Sequence, residues 1–180
     1  MFEETRIIYD TGETHQLARD LIKEAQSEVL VLFSSENSFK RQFKAKNDQL
    51  VLEAARRGII VTVLAPMDES MRNEAEKLEE QNKNLIMRNI RSYSTSLGRP
   101  FTSIVVDKKH SLAIELKDDS RLTVEDAIGQ AIYSTSKRTV EDSIFRFDVV
   151  LKLFQDENES IKRWLSEAVK IVHDNKHPIS

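Results

Sequence analysis

The chain has no cysteine, only three prolines and only four glycines in 180 residues. Without cysteine there is no disulfide, no thiolate metal ligand and no thiol nucleophile, and the composition fits a reducing compartment. Gly12, Gly58, Gly98 and Gly129 stand far apart, so no Gly-rich loop exists to cradle a phosphate. No Gly-x-Ser-x-Gly elbow marks a serine hydrolase. No apolar run approaches the roughly 18 residues of a membrane span, and residues 1–10 lack the apolar core of a signal peptide. A cytoplasmic chain without membrane contact is expected. A net charge of −3 is too mild to point to a nucleic-acid partner. Of the four histidines, His173 and His177 alone have helical ligand spacing, and no third ligand accompanies them. Neither a metal nor a cofactor is expected.

What is present is 39% hydrophobic and 32% charged residues, enough for one domain with a full core and a solvated surface. Residues 6–10 form a short strand candidate, followed by a Thr11-Gly12 turn signal and a helix that Thr14 can cap. Leu17, Ala18, Leu21, Ile22 and Ala25 mark that helix's apolar face. The runs 28–35 and 59–64 are continuously apolar, as strands buried on both faces are. Between them Asp48 is read as the cap of a second helix and Gly58 as its left-handed end. Asp68 opens a third helix, and 84–90 is a third strand. Strands alternating with helices give an α/β fold. Phe101–Asp107 and His110–Leu116 read as an antiparallel hairpin joined by Lys108-Lys109, and 131–136 as one more strand. The expected architecture is a mixed, mainly parallel sheet flanked by helices. Residues 1–136 form its core and 137–180 a C-terminal helical segment, either part of the same domain or a dimerising signalling helix.

Along that segment Val140, Ile144, Phe147, Leu151, Phe154, Asn158, Ile161, Leu165, Ala168 and Val172 follow one another by alternating steps of four and three. This is a heptad seam with a polar residue at one a position, a device that fixes register in paired helices. Asp156 and Glu159 have capping-box spacing, and Trp164, Val169 and Ile171 broaden the later apolar face, so two packed helices are the competing arrangement.

The helix 14–25, the buried strand 28–35, the string Glu53-Ala-Ala-Arg-Arg-Gly58, the strand 59–64 and the hairpin ending its first arm in Asp107 resemble, in that order, one half of the phospholipase D-like fold. Members carry His-x-Lys-x4-Asp on this hairpin: a histidine nucleophile, a phosphate-binding lysine and a supporting aspartate. Aligned on Asp107, Pro100 takes the histidine position and Thr102 the lysine position. Proline has no nucleophile and threonine no charge. No catalytic residue is carried over, and a non-enzyme is expected. More narrowly, the strings at 30–42, 61–70, 103–119 and 127–140 resemble sensory input domains of archaeal signal-transduction histidine kinases in two-component systems. A related domain serves as the effector-binding part of archaeal transcription regulators. The resemblance implies a homodimeric sensor that signals to a downstream kinase or regulator domain, with an atypical phosphodiesterase or nuclease as the alternative.

Open α/β sheets place ligands past the carboxyl ends of parallel strands. That puts Ser34 and Ser35, with Phe39, at a site for a small polar or anionic ligand. By the family layout Ser134 and Lys137 would face the same cleft, and Asp107 would either line it or organise its own turn. Ser136 can equally cap the last helix. Lys40, Arg41, Lys44 and Lys46 with Phe39 and Phe43 could contact phosphates; a solvated charged face is the stronger interpretation, so nucleic acid is not an expected partner.

Overall fold

The computed structural model describes residues 2–91, 100–154 and 171. Seven strands, β1 (Thr5–Ile8), β2 (Glu28–Phe33), β3 (Ile60–Ala65), β4 (Leu85–Asn89), β5 (Phe101–Val106), β6 (His110–Leu116) and β7 (Ile128–Ser134), form one sheet in the order β1-β7-β6-β5-β2-β3-β4. β2, β3 and β4 are mutually parallel, while β5, β6, β7 and β1 each join antiparallel. The expected mixed α/β sheet is therefore present, its parallel strands first in sequence.

β2 sits between the parallel and antiparallel halves, and all its residues after Glu28 are buried. Such a strand needs cover on both sides. Val29, Val31 and Phe33 face a large core shared with α1 (Thr11–Glu24), α2 (Glu36–Lys44), α3 (Asn47–Arg56) and α4 (Glu69–Glu79). Leu30 and Leu32 face the other way, into a smaller core with Leu64, Val105 and the α6 residues Val140, Phe147 and Val150. A short α5 (Val124–Ala127) precedes β7, and α6 spans Lys137–Leu153.

Local chemistry explains most element ends. Asp10, Ser35, Asp68 and Thr123 each accept a backbone N–H in the first turn of the helix that follows, removing an orphan donor. Gly58, at φ 91°, leaves α3 in the left-handed region that glycine adopts without a Cβ clash. Several expectations are corrected. α1 starts at Thr11 with Asp10 as its cap, so Thr11-Gly12 lies in the first turn and Thr14 is fully buried. Residues 36–44, where no helix was expected, are helical. Asp48 lies in the first turn of α3, whose cap position is Lys46 at φ 58°.

Ser136 gives α6 no side-chain cap. Instead the Lys137 N–H donates to Glu3 Oε1 at 3.0 Å, and Glu4 exchanges two hydrogen bonds with Thr135: the Thr135 N–H to Glu4 O at 2.8 Å and the Glu4 N–H to Thr135 Oγ1 at 2.9 Å. At the far end Arg91 donates its backbone N–H to Phe154 O at 2.6 Å and its guanidinium to Leu153 O at 2.8 Å, a favourable place for a cation. The first part of the heptad seam thus packs on the sheet. Asn158, the Asp156–Glu159 pair, Trp164 and His173 with His177 lie outside the described residues. Because Phe147 is buried between α6 and the sheet, Phe147→Ala is expected to cost about 3–5 kcal/mol in urea unfolding. A loss under 1 kcal/mol would detach α6 from the core.

Candidate functional site

Two ends of the sheet carry the residues singled out from the sequence. At the amino end of β2, Asp107 acts as a clamp. Its Oδ1 accepts the N–H of Ser27 at 2.8 Å, of Glu28 at 3.0 Å and of Gln26 at 3.1 Å, and the Ser27 hydroxyl at 3.0 Å; its Oδ2 accepts the Gln26 N–H at 2.9 Å. The Asp107 N–H donates back to Glu28 O at 2.8 Å. The carboxylate therefore serves the loop entering β2 rather than its own turn, which is closed by the Lys109 N–H on Val106 O. Burial alone would raise the Asp107 pKa, but the N–H groups of Glu28, Gln26 and Ser27 and the Ser27 hydroxyl outweigh it and hold the carboxyl below the ordinary aspartate value.

Ser134 and Lys137 fall at this same end. β7 runs antiparallel to β6, β6 to β5 and β5 to β2, so the carboxyl end of β7 meets the amino end of β2. The Ser134 hydroxyl contacts Thr5 Oγ1 at 2.7 Å, and Lys137 opens α6 with an exposed side chain. Ser34, Ser35 and Phe39 lie about 20 Å away at the other end of β2, by the rise of six strand residues. The structure places three of the six residues at each end of the sheet, and the expected single cleft is corrected to that extent. Strand direction is the cause.

At the carboxyl end the Ser34 hydroxyl accepts the Phe101 N–H at 3.1 Å, and the Ser35 hydroxyl caps α2 and donates to Asp119 Oδ1 at 3.0 Å. Arg41, six residues on, is buried. Its guanidinium donates to Asp119 Oδ1 at 2.7 Å, Asp119 O at 2.8 Å and Arg121 O at 3.2 Å, fixing the loop that follows β6 against α2. Lys40 is paired with Glu36 and Asp68. Two cations of the basic stretch 40–46 are thus engaged by carboxylates.

Beneath α2 lies a cavity of about 80 Å³. Phe33, Phe39 and Phe43 form one wall, with ring centroids 5.6 and 5.0 Å apart, and Val31, Met87 and Ile104 form its floor. Three polar side chains among its lining, Ser38, Arg41 and Thr102, are each more than nine-tenths buried. Among the described residues the Ser38 and Thr102 hydroxyls have no hydrogen-bond partner. Its rim is a hydrogen-bonded chain. His15 Nδ1 meets Glu125 at 2.5 Å, Asn47 Nδ2 donates to His15 Nε2 at 3.2 Å and to Gln42 at 2.8 Å, and Arg19 donates to Asn47 Oδ1. With Asn47 donating to Nε2, the neutral ring carries its proton on Nδ1, toward Glu125.

Ser38, Arg41 and Thr102 were not among the six residues expected at the site, and Arg41 was named only among the basic residues 40–46. Helical reading of 36–44 would have found the first two, since Ser38 and Arg41 are three apart on one face. Thr102 follows from alternation along β5, whose Ile104 shares its face.

The Asp107 clamp yields a pH-dependent prediction. A carboxyl whose folded pKa is depressed stabilises the fold fully above the unfolded value of about 3.9 and loses that contribution as pH falls through the folded value. Asp107→Ala should cost about 1–2 kcal/mol at pH 7, the lower part of the range because the clamp is partly exposed. The deficit should shrink in denaturant melts near pH 2. An equal deficit at both pH values would remove the charge from the explanation.

Searches with the sequence match no family model and no curated protein. Solved structures do match. NucT from Helicobacter pylori is 11% identical, with 86% of this chain and 99% of that one covered and a TM-score of 0.64. Nuc from Salmonella typhimurium, a phospholipase D family member, is 10% identical over 86% of this chain and 98% of its own, with a TM-score of 0.61. The phosphatidylserine synthase of Haemophilus influenzae is 13% identical over 96% of this chain and 46% of its own, with a TM-score of 0.55. The fold is phospholipase D-like, and at these identities the likeness speaks for the fold alone. It also corrects the expectation of a non-enzyme drawn from Pro100 and Thr102: a phosphatidylserine synthase and a phospholipase D family member share this architecture, so two missing motif residues do not set the chain apart from a fold that enzymes use.

Proposed function

We propose that this chain is a ligand-binding signal-input domain on a phospholipase D-like fold, working as a homodimer that relays ligand occupancy through α6. The observation that carries this reading is the pair of buried hydroxyls, Ser38 and Thr102, that line the cavity without partners among the described residues. A buried hydroxyl left unpaired costs about 1–3 kcal/mol, and a ligand oxygen would recover it. The relay has a physical route. Val31, Phe33, Thr102 and Ile104 lie on the cavity side of β2 and β5, while Leu30, Leu32 and Val105 on the same strands pack against α6. A ligand that prefers one position of these strands biases α6, because only differential affinity shifts a conformational equilibrium. Exposed Phe145 and Leu153 on α6 offer apolar surface to a second copy.

A phosphodiesterase or nuclease is the second reading, favoured by the likeness to phospholipase D-family structures. Two measurements separate them. A thermal-shift screen against small organic acids, sugars and nucleotides should find a compound that raises the melting temperature, since selective binding to the native state must do so. Turnover of a chromogenic phosphodiester that disappears in Thr102→Val would replace the input-domain reading with the second one. Sedimentation equilibrium should show a dimer in the micromolar range that Phe145→Glu dissociates; a wild-type monomer at high micromolar concentration would refute the paired arrangement.

A further inference from the structure

We infer that the cavity under α2 takes a short-chain organic acid, with its aliphatic body against the phenylalanine wall and its carboxylate at Ser38, Thr102 and Arg41. This rests on the input-domain reading and names the ligand class that such a domain would sense. Three observations fix the class. The cavity is small, about 80 Å³, and open to solvent on one side. It suits a few methylenes rather than a sugar or a nucleotide. Its walls are Phe33, Phe39, Val31, Met87 and Ile104, and a ligand polar all round would lose its hydration there without replacement.

The buried polar side chains come from neighbouring positions: Ser38 and Arg41 are three apart on α2, and Thr102 pairs with Phe33, the last residue of β2 before α2. Ser38 and Thr102 each present a hydroxyl that has no partner among the described residues and can donate to an acceptor. Arg41 spends Nη1 and Nη2 on Asp119 and Arg121, and its Nε–H has no acceptor among the described residues. At the rim, Arg19 has only the neutral amide of Asn47 as partner among the described residues, so its charge favours an incoming anion. Glu125 is engaged by His15, which leaves Asp48 as the opposing charge in the lining.

The test uses the full chain and hexanoate, with 1-hexanol and inorganic phosphate as controls, read by thermal shift and calorimetry. Hexanoate should raise the melting temperature, 1-hexanol much less and phosphate not at all. Thr102→Val, which keeps the side chain's shape, should melt no lower than wild type without ligand. It should bind hexanoate about tenfold more weakly, the worth of one hydrogen bond. Ile104→Phe, which fills the floor, should abolish binding while the far-UV circular dichroism stays native. If Ile104→Phe does not fold, Thr102→Val decides alone. Equal shifts from hexanoate and 1-hexanol, or undiminished hexanoate binding in Thr102→Val, would overturn the assignment. A response to phosphate alone would overturn the acyl-chain ligand and leave the input-domain reading in place. No response to any of the three would also overturn the assignment, and the wider screen would then decide the input-domain reading by itself.

Discussion

Much of the fold is referred to one carboxylate. Asp107 receives the N–H groups of three consecutive residues at the entrance to β2, and so ties the β5–β6 hairpin to the central strand. Its setting is costly, since Asp107 and Lys108 both hold φ of 55° with no glycine in the turn, a region that L residues disfavour by about 1–2 kcal/mol each. The clamp explains why the strain is kept. It pins β5 against β2 in the register Val29 to Val106 and Phe33 to Thr102. A slip by one residue would exchange the faces of β5, turning Thr102 toward α6 and Phe101 into the cavity.

The resemblance on the hairpin had given Asp107 the position of a catalytic aspartate, and the structure gives it a mechanical duty. The chemistry of a fold belongs to its sites rather than to its architecture. In this chain the polar side chains that gather are Ser38, Arg41 and Thr102 under α2, with the His15–Asn47 chain at the rim. They come from α1, α2, α3 and β5, elements that meet only because β2 holds both halves of the sheet together.

The apolar run of β2 was legible because burial on both faces leaves no polar position after Glu28 to obscure it, and β3 is interrupted only by Thr62. Helix α2 was not. Its apolar face is little more than Phe39 and Phe43, and its remaining contacts are made by Ser38 and Arg41, which composition reads as surface. The Asp10 cap was masked by Thr11-Gly12, a turn signal that also suits a first helical turn. Ser134 and Lys137 were placed by the family layout, but their location depends on strand direction. Direction is settled by which strands pair, and no local pattern records that. Thr102 was noticed for the charge it lacks, while its burial beside an apolar cavity depends on partners far away in sequence.

Glu3 and Glu4 belong to two parts of the molecule at once. They lead into β1, an edge strand of four residues that pairs with β7, and they hold the entrance to α6 through Lys137 and Thr135. Tension on the backbone ahead of β1 would therefore be felt at the start of α6 before it reached the core. The amino end is a handle on the same helix that lies across the sheet from the cavity, so a tether or fusion there would pull on α6 directly.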